Sequence, residues 1–198
     1  MGVVTSTWRA TQKANRRASL MRSAAKLFAD RGFAAVSTVE LGEAVGMSGP
    51  ALYNYFPSKE ALLAELLLDA SRRLLEGCRE ILADRGAPAE TLAALIAFHL
   101  EFATSDPDII RIQDRELPQL PPATNHEVRN LQRLYVQEWD RVLAALRPDL
   151  SVDERQTRLL AAFGLLNSTP HSATPTGAEA GTILAGMASR ALAEGAAR

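Results

Sequence analysis

The chain has 198 residues, 47% of them hydrophobic, and 22 basic against 23 acidic side chains, for a formal charge of −1. That length leaves room for two hydrophobic cores, and the absence of any run of eighteen apolar residues or of a signal-peptide core points to a soluble, cytoplasmic chain with no membrane partner. A single cysteine, Cys78, excludes an internal disulfide; in a Leu-rich segment it reads as a small core residue.

The near-neutral total conceals an asymmetry. Residues 1–60 carry eight Lys/Arg against four acids, whereas the remainder carries 14 against 19. A basic head on an acidic body is the distribution expected when one end of a chain meets a polyanion. Residues 1–10 lack apolar periodicity and are expected to form a loose arm. Lys13, Arg16 and Arg17 cluster just after it, where a basic arm in an adjacent minor groove and a plain solvated helix end fit equally well. Leu20, Ala24, Leu27 and Phe28 then mark a first helix ending near Gly32.

Thr38 has the side chain to cap a short second helix whose apolar face is expected from Val39, Leu41, Ala44 and Val45, and Gly46 permits the turn that follows. Ser48 caps a third helix, with Pro50 in its first turn and Leu52 and Phe56 directed inward. Its outward positions, Gly49, Ala51, Asn54 and Tyr55, are small or polar, as required of a helix entering a major groove about 12 Å wide. The spacing predicts a helix-turn-helix.

The pattern Thr38, Gly46, Ser48, LYNYF (Leu52 to Phe56) and Lys59 resembles the tetracycline-repressor (TetR) family over roughly residues 15 to 65. The resemblance implies an all-α fold: a three-helix DNA-binding head, residues 1–60, and a larger helical ligand-binding and dimerisation domain, residues 61–198. It also implies that Thr38, Tyr53, Tyr55 and Lys59 grip phosphates while Ser48, Gly49, Pro50 and Asn54 lie against the groove. Two residues depart from the usual pattern. Gly42 replaces alanine, which should soften its helix by about 1 kcal/mol, and Gly49 stands where a polar or basic residue is common, leaving readout to backbone, Asn54 and DNA shape.

After Pro57, Ser58 caps a long helix running to about Arg85, whose apolar face extends from Leu62 to Leu82. This rod touches both domains and is expected to carry motion between them. Turn signals at Gly86 to Pro88, Asp106-Pro107, Leu117 to Pro122, Arg147-Pro148 and Thr169 to Gly177 cut the body into further helices. The last two combine small residues, such as Ala161, Gly164, Gly181 and Gly186, with large apolar ones. They read either as a dimer face, which the resemblance implies and which would suit a palindromic operator, or as closure of the monomer core.

For an effector, His99, Phe102, Tyr135 and Trp139 on apolar stripes, and Asn167 and His171 where a helix meets a Pro-flanked loop, are candidate pocket residues, although His99, Tyr135 and Trp139 also fit as plain core. Arg111 and Arg115 are candidates too, although Asp114 and Glu116 beside them also fit a surface ion-pair helix. The run Phe163 to Ser172, with DRELPQL, resembles regulators of lipid, acyl-CoA or sterol catabolism and implies an apolar effector such as an acyl-CoA. No HExxH, GxSxG, phosphate loop or paired cysteine is present, so no catalytic residue, metal or cofactor is expected. The expectation is a dimeric repressor released from duplex DNA by an apolar small molecule. The alternative is a ligand-independent architectural DNA-binding protein.

Overall fold

Proline, glycine and serine punctuation sets nearly every boundary in the chain. The computed structural model describes residues 3–169 and 178–194, and among them finds nine α-helices, one 3-10 turn and no strand. The helices are α1 (Val3–Arg31), α2 (Thr38–Glu43), α3 (Gly49–Leu52), α4 (Lys59–Ala83), α5 (Pro88–Ser105), α6 (Pro107–Glu116), α7 (Pro122–Leu146), α8 (Val152–Leu166) and α9 (Ala178–Ala193). Leu117–Gln119 forms the 3-10 turn after α6. Pro88, Pro107 and Pro122 each open a helix, where the missing N–H has no intrahelical partner to lose.

Three expectations about the head require correction. The arm is helical from Val3, so α1 extends well past its first buried contact at Leu20, with Trp8, Arg9, Lys13 and Arg16 all exposed. No glycine or proline interrupts residues 3–19, and a solvated helix needs no apolar face to hold together when its far end is anchored. A helix about 10 Å across cannot enter a minor groove about 6 Å wide, which removes that route for the arm. Arg17 is fixed separately, 4.6 Å above the Phe56 ring and 3.1 Å from Glu65.

The cap of α2 is Ser37, not Thr38. Ser37 Oγ accepts from the Glu40 N–H at 3.2 Å while the Ser37 N–H donates to Glu40 Oε2 at 2.8 Å, a reciprocal pair that a cap at Thr38 would lose because Leu41 cannot return the bond. Donation from the Ser37 backbone and the Arg31 guanidinium holds the Glu40 carboxyl down to about 2. Val39 is 53% exposed, because residues two apart on a helix point to opposite sides, and Ala44, the C-cap of α2, is exposed as well; Leu41 and Val45 face inward.

The buried core runs continuously from Leu20 and Phe28 in α1 through Leu62, Leu63, Leu66 and Leu67 of α4 to Trp139, Leu159 and Leu192. At 1.5 Å per residue the 25 residues of α4 span about 37 Å, from the cap at Ser58, whose Oγ accepts from Ala61 N–H, to the body. In the body α5 and α7 pack against α4, α8 packs against α7, and α9 is laid against α8 and α5. Buried Leu184, Ala188 and Leu192 form the inner face of α9, while Ile183 and Met187 point outward.

Candidate nucleic-acid interface and effector cavity

The turn between α2 and α3 is tighter than sequence spacing alone suggests. Gly46 adopts φ +68, a conformation that side-chain-bearing residues rarely take. Gly42 lies against the crossing chain: a Cβ there would sit 2.8 Å from Met47 O and 2.9 Å from the Ser48 carbonyl carbon. Glycine at this position therefore permits close passage of α3 over α2 rather than merely softening α2. Ser48 precedes α3 with extended φ and ψ, but its side chain makes no cap bond. The α3 helix itself is only four residues long, and a chain of turn bonds through Phe56 N–H to Leu52 O continues it. Leu52 and Phe56 are buried as the spacing predicts.

Ser48, Pro50, Asn54 and Tyr53, the last 54% exposed, share the outer surface, while Thr38 and Tyr55 are half-buried. Gly49 is not on that surface. It is buried against α2, where a Cβ would meet Val39 Cα and Cγ2 at 3.2 Å, so its small size serves packing. Lys59 also differs from expectation. Its ammonium donates to Phe33 O at 2.9 Å and Val36 O at 2.8 Å and lies 4.3 Å from the Phe33 ring centroid. With two of three donors taken by the α1–α2 loop, Lys59 holds that loop in place and has one donor left for a phosphate.

A second junction joins the head to the body. Arg115, at the end of α6, directs its guanidinium to the Phe28 and Ala29 carbonyls in the last turn of α1. The neighbouring Glu116, buried, accepts from the Phe33 N–H at 3.0 Å and from Arg115 Nε at 2.7 Å. Cations favour helix C-termini, where carbonyls lack intrahelical partners, and the carboxylate satisfies a buried N–H just beyond. Arg115 is thus a head-to-body grip and does not line the cavity described next. Arg111 pairs with Asp108 at 3.5 Å along α6, and Phe102 packs under Arg73; neither reaches the cavity described next.

Inside the body lies a cavity of about 150 Å³. Of the expected residues it brings together His99, Tyr135 and Asn167. The Tyr135 hydroxyl lies 3.0 Å from His99 Nδ1, and His99 Nε2 lies 3.0 Å from Asn167 Oδ1. An amide oxygen only accepts, so Nε2 carries the imidazole proton and Nδ1 accepts from tyrosine. Burial pushes the His99 pKa down to about 4, which leaves the ring neutral. Trp139 is fully buried beside it, 4.9 Å from the Phe163 ring centroid, and its Nε1 has no hydrogen-bond partner among the described residues. His171 lies outside the described residues.

The sequence reading missed Ser71, Leu74, Gln113, Gln132, Val136 and Phe163 as cavity walls. Phe163 was visible on its stripe, but nothing local marks the two glutamines, which are half-buried only because three helices converge there. Burial raises the Cys78 thiol to about 12, as befits a core residue. Among the described residues no cluster of three His, Cys, Asp or Glu could hold a metal, and no helix is long and apolar enough to cross a membrane.

Comparison with known proteins agrees with this architecture. Residues 20–66 match the family model described as bacterial regulatory proteins, tetR family, and residues 85–195 match the tetracyclin repressor-like C-terminal domain. The chain belongs to the TetR family. It is therefore a DNA-binding transcription regulator rather than an enzyme. The transcriptional repressor KstR2 of Mycolicibacterium smegmatis is 31% identical over 152 residues, covering 72% of this chain and 73% of that protein. A TetR-family regulator from Bordetella parapertussis 12822 superposes with a TM-score of 0.83 at 26% identity, over 90% of this chain and 94% of that one. The Bacillus subtilis regulator FadR, solved in complex with stearoyl-CoA, is alike in fold alone: TM-score 0.72 at 16% identity, over 90% of this chain and 98% of its own.

Proposed function

We propose that this TetR-family chain is a dimeric repressor that holds a palindromic operator and lets it go when an apolar small molecule enters the body cavity. The observation that carries the reading is the position of α6. Gln113 faces the cavity, and two residues later Arg115 and Glu116 grip the end of α1. The second wall, Ser71 and Leu74, belongs to α4, which also threads the head core at Leu62 and Leu63. A ligand that moves either wall moves an element of the DNA-binding head, through α6 as well as through the α4 rod.

In this reading Ser48, Pro50, Tyr53 and Asn54 meet DNA directly, with Thr38 and Tyr55 at the edge, while Lys59 and Gly49 act by fixing the helices that carry them. Regulators of this family act as dimers. On α8 and α9, Leu160, Ile183 and Met187 remain 58%, 54% and 42% exposed, an apolar surface that a second copy would cover and whose two-fold symmetry would match a palindrome. A fatty or steroidal acyl-CoA is the proposed effector class. Support comes from the similarity to KstR2 and from FadR, whose like fold holds stearoyl-CoA.

The test is fluorescence anisotropy of duplex DNA from the region flanking the chain's own gene, titrated with the purified protein and then with palmitoyl-CoA. Salt-sensitive binding reversed by the thioester is expected. Binding that ignores apolar ligands would favour the architectural alternative, and absence of binding would remove the regulatory reading.

A further inference from the structure

Among the described residues the cavity has six polar wall residues, Ser71, His99, Gln113, Gln132, Tyr135 and Asn167, and none is charged. The cations closest in sequence to the wall residues are committed elsewhere: Arg72 to Glu127, Arg73 to Asp69 and Asp106, Arg133 to the Asn130 amide oxygen, Arg111 to Asp108 and Arg115 to the end of α1. An ion brought into such a space would lose its water without gaining a countercharge, a loss far larger than that for a neutral group of the same size.

The hydrogen-bond inventory narrows the ligand further. Both His99 nitrogens are occupied, and the Ser71 hydroxyl is donated to Leu67 O at 2.8 Å. What remains toward the cavity is the Asn167 amide N–H pair, the Ser71 and Tyr135 oxygen lone pairs and the amides of Gln113 and Gln132. These neutral dipoles can each donate to or accept from a single oxygen. Leu74, Val136 and Phe163 supply the apolar remainder of the wall.

Taking this cavity as the effector site of the proposed regulator, we infer that the part of the effector entering it is an uncharged apolar group bearing a hydroxyl or carbonyl oxygen, and that carboxylates and ammonium ions are refused. For an acyl-CoA this places the acyl end within and every phosphate outside. The cavity volume is of the size that admits a single benzene ring, so aromatic fragments can probe it.

The chain contains two tryptophans, Trp8 on the exposed arm and Trp139 beside the cavity. In a Trp8→Phe background, Trp139 fluorescence reports on titration with benzyl alcohol, benzoate and benzylammonium at neutral pH. Benzyl alcohol is expected to bind at least about tenfold more tightly than either ion, given the desolvation loss. Gln132→Glu, on α7 and away from the α6 grip, should reverse the order in favour of benzylammonium while circular dichroism stays helical. Comparable affinity for benzoate, no saturable signal from the alcohol, or an unchanged order in a folded Gln132→Glu protein would each overturn the inference. No DNA enters this measurement, so a protein that prefers the alcohol yet binds no operator would sink the regulator reading alone.

Discussion

Glu116→Ala tests the junction between body and head most directly. The carboxylate takes one hydrogen bond from the buried Phe33 N–H at 3.0 Å and another from Arg115 Nε at 2.7 Å, and its own side chain is 7% exposed. Removing it strands a buried backbone donor, at about 1–3 kcal/mol. It also deletes a buried methylene worth about 0.8 kcal/mol. Arg115, 48% exposed, regains water and adds little. The sum is about 3 kcal/mol, which in a chain of this size lowers Tm by about 6–12 °C. Glu116→Gln keeps an acceptor oxygen for Phe33 and loses only the charge assistance, so about 1 kcal/mol is expected.

The assay is thermal unfolding by circular dichroism at one protein concentration, since dimerisation makes Tm concentration-dependent. Anisotropy titrations with operator and effector accompany it. The glutamine variant should hold DNA nearly as the wild type does, yet respond less to effector, because the wall of the cavity is less firmly tied to α1. If Glu116→Ala melts with the wild type, the buried N–H has another acceptor and the grip described here is wrong. If both variants respond to effector fully, α6 does not carry the signal.

Three further outcomes follow from the same geometry. Gly42→Ala gains about 1 kcal/mol of helix propensity but forces a Cβ to 2.8 Å from Met47 O, an overpacking of about 1–3 kcal/mol, so lower Tm and weaker operator binding are expected and a higher Tm would refute the close-passage argument. His99 takes its proton near 6.5 when unfolded and near 4 when folded, so its contribution is intact above 6.5 and is lost as pH falls toward 4; the stability of the wild type relative to His99→Gln should fall by about 3 kcal/mol across that window, and parallel curves would contradict a buried neutral ring. Replacing Arg9, Lys13 and Arg16 together by alanine should make the salt dependence of DNA binding shallower by about 0.9 per lost phosphate contact, whereas an unchanged slope would assign that face of α1 to solvent.

What the sequence made legible was local. Leu52 and Phe56 one turn apart, Ser58 before a leucine-rich run, and proline at three helix starts each depend on neighbours within a few residues, and each is found where its spacing places it. The convergence of His99, Tyr135 and Asn167 was half legible, since each broke an apolar stripe, but their mutual bonds span 36 and 68 residues. The bonds that Arg115 and Lys59 make were not legible, because their acceptors are backbone carbonyls 86 and 26 residues away, and a carbonyl has no sequence signature. Gly49 was misread for a related reason: whether a glycine in a turn faces outward or inward depends on a partner, here Val39, that only the folded turn supplies.

The size of the cavity turns the proposed coupling into a sharper expectation. A ligand pocket for a molecule of drug size is about 300–1,000 Å³, and this one is about 150 Å³. A ligand that fits the resting volume gains its contacts without moving Gln113 on α6 or Ser71 on α4, so it has no reason to prefer one head position over another, and a ligand indifferent to two states shifts neither. A ligand whose inserted part exceeds the resting volume must push those walls apart, and the displacement is transmitted to α1 and the head core. Benzyl alcohol should therefore occupy the cavity and leave operator affinity unchanged, while 4-hexylbenzyl alcohol, with the same polar head, should weaken it about 5- to 150-fold, the range of a 1–3 kcal/mol coupling. Linkage requires the reciprocal: operator DNA must weaken binding of the hexyl compound, read from Trp139 fluorescence, by the same factor. Equal release by both alcohols, or a hexyl compound that binds without any effect of DNA, would break the connection drawn here between cavity expansion and movement of the DNA-binding head.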